Sequence, residues 1–244
     1  AHGLYRSAEL LLGHRRLSII DPSHSADQPL SNEEGTIWLA CNGEIYNYRD
    51  LRDQLIRGGH RFKSHTDSEV ILHLYEERGV QCLHDLRGMF AFALWDDVRK
   101  RLVLARDRFG IKPLYYSAQA STLVFASEVR AIQAGGLTPF PYNSNAFLEY
   151  LQYGSIPSPS TFLEHVHSVP AGHYLLQDAS GLSVHRYWDL RESWQGPEKG
   201  LADPDALREF LKETVQQHLA SDVPFGILLS GGMDSSVLVA MARE

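Results

Sequence analysis

The sequence has few or none of the features that define three broad classes of protein. Its two cysteines, Cys41 and Cys82, are too few for a disulfide scaffold, so we expect a reducing, cytoplasmic compartment. No apolar run approaches the ~20 residues that a membrane helix needs, which argues against a membrane span. The net charge of −7 argues against a nucleic-acid partner, because phosphate backbones are bound by concentrated Lys and Arg.

Two motifs of metal and nucleotide chemistry are also missing. The chain has 12 histidines, but none has the His-Glu-x-x-His spacing of a zinc hydrolase, and the closest pair is His165 and His167. We therefore predict no metal centre. No Gly-Lys-Ser or Gly-Lys-Thr follows a glycine-rich turn, which excludes the usual phosphate-binding P-loop.

The most informative stretch that is present lies near the C-terminal end. An apolar segment at 225–229 leads into Ser230-Gly231-Gly232, and a helical pattern starts at Met233. A strand, a glycine turn and a helix N-terminus together present backbone N–H groups to an anion, and the helix dipole adds favourable potential. The glycines let the backbone approach a phosphate closely. The alternative is an ordinary Ser/Gly turn with an Asp or Ser that caps the helix.

The remaining sequence predicts many short strands and few helices. Residues 190–203 are polar and contain Gly and Pro, which favours a linker, and Asp203-Pro204 opens a helix that continues to 219. This order predicts an antiparallel α+β domain joined to the start of an α/β domain. The predicted strands include 10–14, 16–20, 36–45, 89–95, 101–106, 123–126, 169–176, 184–188 and 223–229, and the other predicted helices are 51–56, 67–75 and 145–153.

Six segments, in order along the chain, carry a family resemblance. They are GHRRLSIID at 13–21, CNGEIYN at 41–47, TDSEVI at 66–71, RGMFAFA at 87–93, RDRFGIKPLYY at 106–116 and SGGMDSS at 230–236. In this order they resemble segments of the glutamine-hydrolysing asparagine synthetases, and the resemblance extends over essentially the whole chain. Any one segment would be weak evidence, whereas six in order indicate the family.

The resemblance implies two modules. The first, at 1–189, would be a class II glutaminase domain with the αββα fold of N-terminal-nucleophile hydrolases. A linker at 190–203 would lead to the first helix, strand and loop of an α/β ATP pyrophosphatase domain at 204–244. In this family, glutamine hydrolysis supplies ammonia, ATP activates aspartate as an aspartyl adenylate, and ammonia displaces AMP. The implied substrates are glutamine, aspartate and ATP, and a homodimer is left open.

The resemblance also assigns a glutamine pocket. Its residues would be Arg16, Ile19, Ile20, Asn42, Gly43, Glu44 and Asp67. Asn42 and Gly43 would form the oxyanion hole, and Arg16 would pair with the α-carboxylate, since a guanidinium offers two parallel donors. Asp67 and Glu44 would hold the α-ammonium, helped by the carbonyls near Ile19 and Ile20. The plainer alternatives are an Asn-Gly turn, a surface arginine and a helix cap at Asp67.

A nucleotide site is implied in the second module. Its residues would be Leu228, Ser230, Gly231, Gly232, Asp234, Ser235 and Ser236. The Leu228 backbone would lie near the adenine, and the loop would hold the pyrophosphate. ATP chemistry implies a Mg²⁺ ion that bridges the phosphates.

The chain departs from the family at its ends. A class II glutaminase needs an N-terminal cysteine whose own α-amine assists the thiol, whereas the first residue is Ala1. Cys41 and Cys82 are internal and lack that amine. The last helical pattern also runs to Glu244 without a terminating Gly, Asn or Pro. We therefore expect a fragment truncated at both ends, without glutaminase activity of its own.

Two alternatives stay open. Other amidotransferases and β-lactam-forming synthetases share the two-domain plan, so the acceptor could be a carboxylate other than aspartate. The glutamine-pocket residues favour a true amidotransferase over a lactam-forming relative. A non-catalytic glutamine-sensing domain would also lack the nucleophile.

Overall fold

The computed structural model describes residues 2–16, 19–119, 121–135, 140–193, 203–224 and 226–243. The strands are β1 His2–Arg6, β2 Leu11–Arg15, β3 Leu30–Ser31, β4 Ile37–Ile45, β5 Gly88–Asp96, β6 Arg101–Arg106, β7 Tyr115–Gln119, β8 Thr122–Ala126, β9 His167–Ser168, β10 His173–Asp178 and β11 Gly181–Arg186. The α-helices are α1 Tyr48–Arg57, α2 Glu69–Arg78, α3 Val129–Ala134, α4 Ser144–Tyr153, α5 Leu190–Ser193, α6 Pro204–His218 and α7 Met233–Arg243. None of the described helices is long and apolar enough to cross a membrane.

A six-stranded antiparallel sheet forms the centre of the molecule, in the order β11-β10-β6-β5-β4-β3. Its middle strand β5 is apolar on both faces, because successive side chains point to opposite sides and both sides are covered. Phe92 and Leu94 pack with Leu55 of α1 and Ile71 of α2. The β5–β6 hairpin predicted at 89–106 is confirmed.

The opposite face of this sheet packs against a second layer of strands. Trp95 lies in a core with Leu12 of β2 and with Tyr116 and Leu123 of the β7–β8 hairpin. The β7–β8–β9 sheet in turn buries its outer face under α3, where Ile132 is 1% exposed. The layers therefore follow one another as helices, sheet, sheets and helix. This is the αββα arrangement predicted for the first module.

The strand predicted at 16–20 is not formed in the part of it that the structure describes. Residues 17–18 of the strand expected at 16–20 lie outside the described residues, and residues 19–20 form a bend. The guanidinium of Arg16 donates to the carbonyls of Ile20 and Asp21, and Asp21 has a φ of +50°. These two hydrogen bonds hold the backbone at 20–21 in a bend beside the guanidinium, so that it is not extended as a strand would be.

The first helix predicted for the second module is present, but the strand predicted after it is not formed in the described residues. Asp203 caps α6 through its side chain, with Pro204 in the first turn. The strand expected at 223–229 is not formed in the described part of that segment, since 226–230 pair with no strand and Leu228 is 96% exposed. A strand needs a neighbouring strand, and the described chain places none beside it. Of the predicted linker, 190–193 are helical and 194–202 lie outside the described residues.

We expect the backbone amides of 226–230 to exchange with deuterium at least ~10²-fold faster than those of 89–95. Residues 89–95 lie in β5, which pairs with a strand on each side. Residues 226–230 lie between α6 and α7, and neither helix contains a buried residue. Hydrogen–deuterium exchange followed by mass spectrometry of peptides measures both segments in one sample. Equal protection would show that the second module is packed as firmly as the central sheet.

Candidate active site

One cavity of about 780 Å³ opens beside the end of β4. Three separate parts of the chain form much of its wall, namely 13–16 with 19–20, 41–44 and 66–68, and further residues come from α3 and its approach. All seven residues of the predicted glutamine pocket line it: Arg16, Ile19, Ile20, Asn42, Gly43, Glu44 and Asp67. The tertiary structure therefore brings the predicted set to one place.

The end of β4 is fixed by an unusually close approach to β5. Gly43 has a φ of +152°, and a Cβ atom there would lie 2.0 Å from the carbonyl oxygen of Met89. Only glycine fits at this position, because any side chain would collide with backbone. Asn42, its neighbour, lies half-buried on the cavity wall opposite Ala91 of β5. Hence the two predicted oxyanion-hole residues belong to a rigid, paired strand.

Asp67 is a buried carboxylate directly before α2. Its Oδ2 accepts the Ile45 backbone N–H at 2.7 Å, and its Oδ1 accepts the Thr66 hydroxyl at 3.1 Å. Burial raises the pKa of Asp67, and these hydrogen bonds offset part of that rise. The helix N-cap position is occupied by Ser68, without a side-chain cap. The carboxylate therefore joins α2 to the end of β4, beneath the cavity.

Glu44 supplies a second acid next to Asp67. Burial and the negative charge of Asp67 raise the pKa of Glu44, while Lys112 and His218 act in the opposite direction. Among the described residues, none donates a hydrogen bond to the Glu44 carboxylate. Two carboxyl groups whose negative charges affect each other favour a cation nearby, and an ammonium group is one such cation.

Arg16 places a positive charge on the same wall. Its guanidinium donates to the carbonyls of Ile20 and Asp21, the latter at 2.9 Å. The carbonyl of Ile19 accepts the Asp222 backbone N–H at 3.1 Å. The two carbonyls predicted to help bind an α-ammonium thus each accept a hydrogen bond already, although each oxygen has a second lone pair.

The sequence analysis left out several residues of the cavity wall. Lys112 adds a second positive charge to the wall. It lies in the family segment at 106–116, so the sequence could have indicated it as a pocket residue. Gln28 accepts a hydrogen bond from the Cys41 backbone N–H through Oε1 at 2.6 Å, which stabilises β4 next to the cavity. No local pattern marks Gln28, because its role depends on residues 13 positions away.

Cys41 lies on the cavity wall but is not a nucleophile. Burial, with a smaller contribution from the negative charge of Asp67, raises the pKa of Cys41 to about 12. Burial likewise raises the pKa of Cys82 to about 12. Both side chains are therefore neutral thiols near pH 7, and a thiol is a poor nucleophile compared with a thiolate.

The segment predicted to bind the nucleotide lies outside the cavity wall and is largely exposed. Gly231 has a φ of +81°, and α7 begins two residues later. The hydroxyl of Ser230 lies 2.9 Å from that of Ser235, and the hydroxyls of Ser235 and Ser236 donate to the Gly232 carbonyl at 3.1 and 2.8 Å. The glycine turn and the helix N-terminus are thus present as predicted, and Asp234 lies in the first helical turn.

Models of two known protein families match the chain. A glutamine amidotransferase domain model matches residues 1–188, and an asparagine synthase model matches residues 206–244. The chain belongs to the glutamine amidotransferase family. This agrees with the resemblance stated from the six sequence segments.

Several curated relatives match nearly the whole length of this chain. Asparagine synthetase [glutamine-hydrolyzing] 2 of Bacillus subtilis is 38% identical over 94% of the chain, and asparagine synthetase B of Escherichia coli is 38% identical over 99%. The amidase chry2 of Gibberella zeae is 39% identical over 96%. The chain spans only about a third of these relatives, with 32%, 38% and 35% of their lengths covered.

Among solved structures, glutamine phosphoribosylpyrophosphate amidotransferase of Bacillus subtilis matches 95% of this chain and 49% of its own, with a TM-score of 0.53 and 20% identity. That similarity concerns the fold alone. It confirms the glutaminase fold class of the first module.

We expect both cysteines to resist alkylation by iodoacetamide at pH 8 in the folded chain, because their thiols are buried and their pKa values are raised to about 12. In denaturant, both should react fully. Mass spectrometry of the intact chain counts the alkylated sites in each state. Rapid labelling of Cys41 in the folded chain would contradict its assignment as an inert core residue.

Proposed function

We propose that the cavity binds L-glutamine and that the chain supplies the glutaminase part of a glutamine-hydrolysing asparagine synthetase. The observation that carries this proposal is the convergence of three distant segments, with charges of both signs, on one cavity. An α-amino acid is a zwitterion with an ammonium and a carboxylate on one carbon. A wall that carries both carboxyl groups, such as Asp67 and Glu44, and cations, such as Arg16 and Lys112, complements it.

Each residue then has a specific role. Asp67 and Glu44 bind the α-ammonium, and Arg16 binds the α-carboxylate. The side chain of the substrate extends along the end of β4. The Asn42 amide and the Gly43 N–H stabilise the oxyanion that forms when the side-chain amide is attacked, with ~3 kcal/mol per donor. The attacking thiolate belongs to neither internal cysteine, since both are neutral and buried.

We further propose that the nucleotide loop binds the pyrophosphate of ATP. Ser230, Gly231, Gly232, Asp234, Ser235 and Ser236 would surround the phosphates, with Leu228 near the adenine. These residues include the exposed N-terminus of an 11-residue helix, whose backbone N–H groups and dipole favour an anion. The proposed donor set offers hydroxyls and one carboxylate, which are oxygen ligands of the kind that Mg²⁺ takes.

The complete reaction joins the two sites. Hydrolysis of glutamine gives glutamate and ammonia, and ATP with aspartate gives an aspartyl adenylate and pyrophosphate. Ammonia attacks the adenylate carbonyl, and asparagine and AMP leave. The module boundaries at 1–189, 190–203 and 204–244, the cytoplasmic location and a homodimer remain predictions alongside this scheme.

A second candidate function shares the first half of this reaction. An amidase and the asparagine synthetases are similarly close to the chain, at 39% and 38% identity. Glutamine hydrolysis with another carboxylate as the ammonia acceptor therefore fits the same cavity. A glutamine-sensing domain without catalysis would bind the same ligand, and a glutaminase assay separates it from both.

Arg16→Lys is expected to weaken binding of L-glutamate, the hydrolysis product, by ~10- to 100-fold. An ammonium cannot make the paired contact of a guanidinium, and a charge-assisted hydrogen bond is worth ~1.5–3 kcal/mol. Titration calorimetry measures the dissociation constant without substrate turnover. Arg57→Lys, an exposed arginine at the end of α1, is the matched control. An unchanged dissociation constant for Arg16→Lys would remove this residue from the pocket.

Asp67→Asn should weaken L-glutamate binding in the same assay, and it should also alter the pH dependence. The raised pKa of Asp67 means that the carboxylate takes up a proton at a higher pH than an ordinary aspartate. Binding to the unaltered chain should therefore weaken on acidification before ordinary carboxyls titrate. Asp67→Asn should leave only the part of that step that belongs to Glu44, whose pKa burial also raises, whereas Asp53→Asn, on the exposed face of α1, should keep the profile of the unaltered chain. The same pH profile in all three proteins would contradict the assignment.

The nucleotide loop is tested in a chimera of this chain with the C-terminal part of Escherichia coli asparagine synthetase B. Ser230→Ala or Asp234→Ala should abolish pyrophosphate release from ATP and aspartate while leaving L-glutamate binding unchanged. A phosphate-coupled assay measures the first and calorimetry the second. Undiminished pyrophosphate release would contradict the assignment, and loss of both properties would indicate misfolding of the variant.

A further inference from the structure

A second cluster of chemistry-bearing side chains lies outside the glutamine cavity. Glu33, His60, His73 and Glu76 each offer one possible ligand atom, and these four atoms lie within 4.8 Å of one another. None of the four lines the cavity. His73 and Glu76 are six and nine residues beyond Asp67 in the sequence, which corresponds to ~9–14 Å along a helix.

The distances within this cluster are close to those of a metal site. Oε2 of Glu76 lies 2.9 Å from Nδ1 of His73 and 3.5 Å from Nδ1 of His60. Oε2 of Glu33 lies 3.6 Å from Nδ1 of His73. Tetrahedral ligands at ~2.0–2.1 Å from a zinc ion are ~3.4 Å apart. Small side-chain movements would therefore suffice to accommodate an ion.

Each histidine also has a carboxylate behind its other nitrogen. Nε2 of His60 lies 3.3 Å from Oε1 of Glu77, and Nε2 of His73 lies 3.8 Å from Oε1 of Glu69. His73 is 1% exposed, and its Nε2 makes no hydrogen bond. Metal-bound histidines usually donate their second N–H to a carboxylate, which fixes the ring and makes the first nitrogen a better ligand.

The two acids are held in a similar way. Oε1 of Glu33 accepts the Arg61 backbone N–H at 2.8 Å, and Oε1 of Glu76 accepts the Asn32 amide at 2.7 Å. Each carboxylate thus uses one oxygen for orientation and turns the other toward the histidines. All four candidate ligands are positioned by neighbours that do not themselves enter the cluster.

We propose that Glu33, His60, His73 and Glu76 form a structural zinc site. Two neutral imidazoles and two carboxylates give a net charge of −2, which one Zn²⁺ balances. Nitrogen and oxygen donors in this proportion suit zinc better than Mg²⁺ or Ca²⁺, which prefer oxygen alone. All four positions are filled by side chains, as in structural rather than catalytic zinc sites.

The site would connect three segments of the first module. Glu33 comes from the β3–β4 connection, His60 from the turn after α1, and His73 and Glu76 from α2. Glu69, behind His73, also accepts the backbone N–H groups of Lys63 and Ser64 at 2.6 and 2.8 Å. Zinc would thereby steady the loop that leads to Asp67, at the glutamine cavity.

The experiment titrates zinc into the chain, expressed without a histidine tag and freed of metal with a chelator. We expect one Zn²⁺ per chain by calorimetry, an intense tetrahedral Co²⁺ spectrum on substitution, and a thermal unfolding midpoint raised by ~5–10 °C at saturating zinc. His60→Gln and Glu33→Gln, both at least partly exposed, should each weaken zinc binding at least tenfold. They avoid the cavity that truncation of buried His73 would create.

His24→Gln and Glu34→Gln are the matched controls, since both side chains are exposed and lie outside the cluster. They should bind zinc as the unaltered chain does. If micromolar zinc fails to bind, the cluster is an ion-pair network only and the proposal is wrong. Stoichiometric binding that His60→Gln and Glu33→Gln leave unchanged would place zinc elsewhere and overturn it equally. L-Glutamate titration of the same variants is an independent check that the glutamine cavity is intact.

Discussion

The pairing of β4 with β5 is the constraint on which the rest of the structure depends. The two strands pair over nine residues, from Ile37 opposite Asp96 to Ile45 opposite Gly88. A Cβ atom on Gly43 would lie 2.0 Å from the Met89 carbonyl oxygen, and one on Gly88 would lie 2.1 Å from the Glu44 carbonyl oxygen. The strands therefore approach each other at this end more closely than side chains allow. That approach fixes the backbone of Asn42 and Gly43, the residues proposed to form the oxyanion hole.

The cavity concentrates charge at the edge of a well-packed core, which is unfavourable for stability and useful for binding. Asp67 is 4% exposed, and its carboxylate is compensated by hydrogen bonds from Ile45 and Thr66 rather than by a paired cation. An incoming ammonium would supply the missing positive charge. The cost of removing this carboxylate from water is already included in the free energy of folding. A bound ammonium can therefore contribute more of its electrostatic attraction to the binding free energy.

Helix α2 connects two sites of different chemistry. Its N-terminal approach presents Asp67 to the cavity, and its middle presents His73 and Glu76 to the zinc cluster. Glu69 lies between them and bonds the loop at 63–64. The second module touches the same region, since Asp222 bonds the backbone of Ile19 and Asp21.

Local sequence patterns determined much of the fold. The apolar run at 89–95 predicted a strand, and the structure places Phe92 and Leu94 in the core on one face of β5 and Ala93 and Trp95 in the core on the other. The Asp203-Pro204 pair fixed the start of α6. The six family segments predicted the αββα fold and a glutamine pocket whose seven residues all lie on the cavity wall. These signals are local, because hydrogen-bonding period, caps and short motifs need only neighbouring residues.

Only the tertiary structure decided the remaining features. The bend at 19–20 forms because Arg16 finds carbonyl partners, and the segment at 226–230 stays unpaired because a strand depends on a neighbour that its own sequence cannot specify. The cluster of Glu33, His60, His73 and Glu76 escaped the sequence analysis, which predicted no metal centre. Only one pair of its members has a helical spacing, and the others meet it through the packing of α1, α2 and the β3–β4 connection. Proximity between residues far apart in sequence is a property of packing, and no local period encodes it.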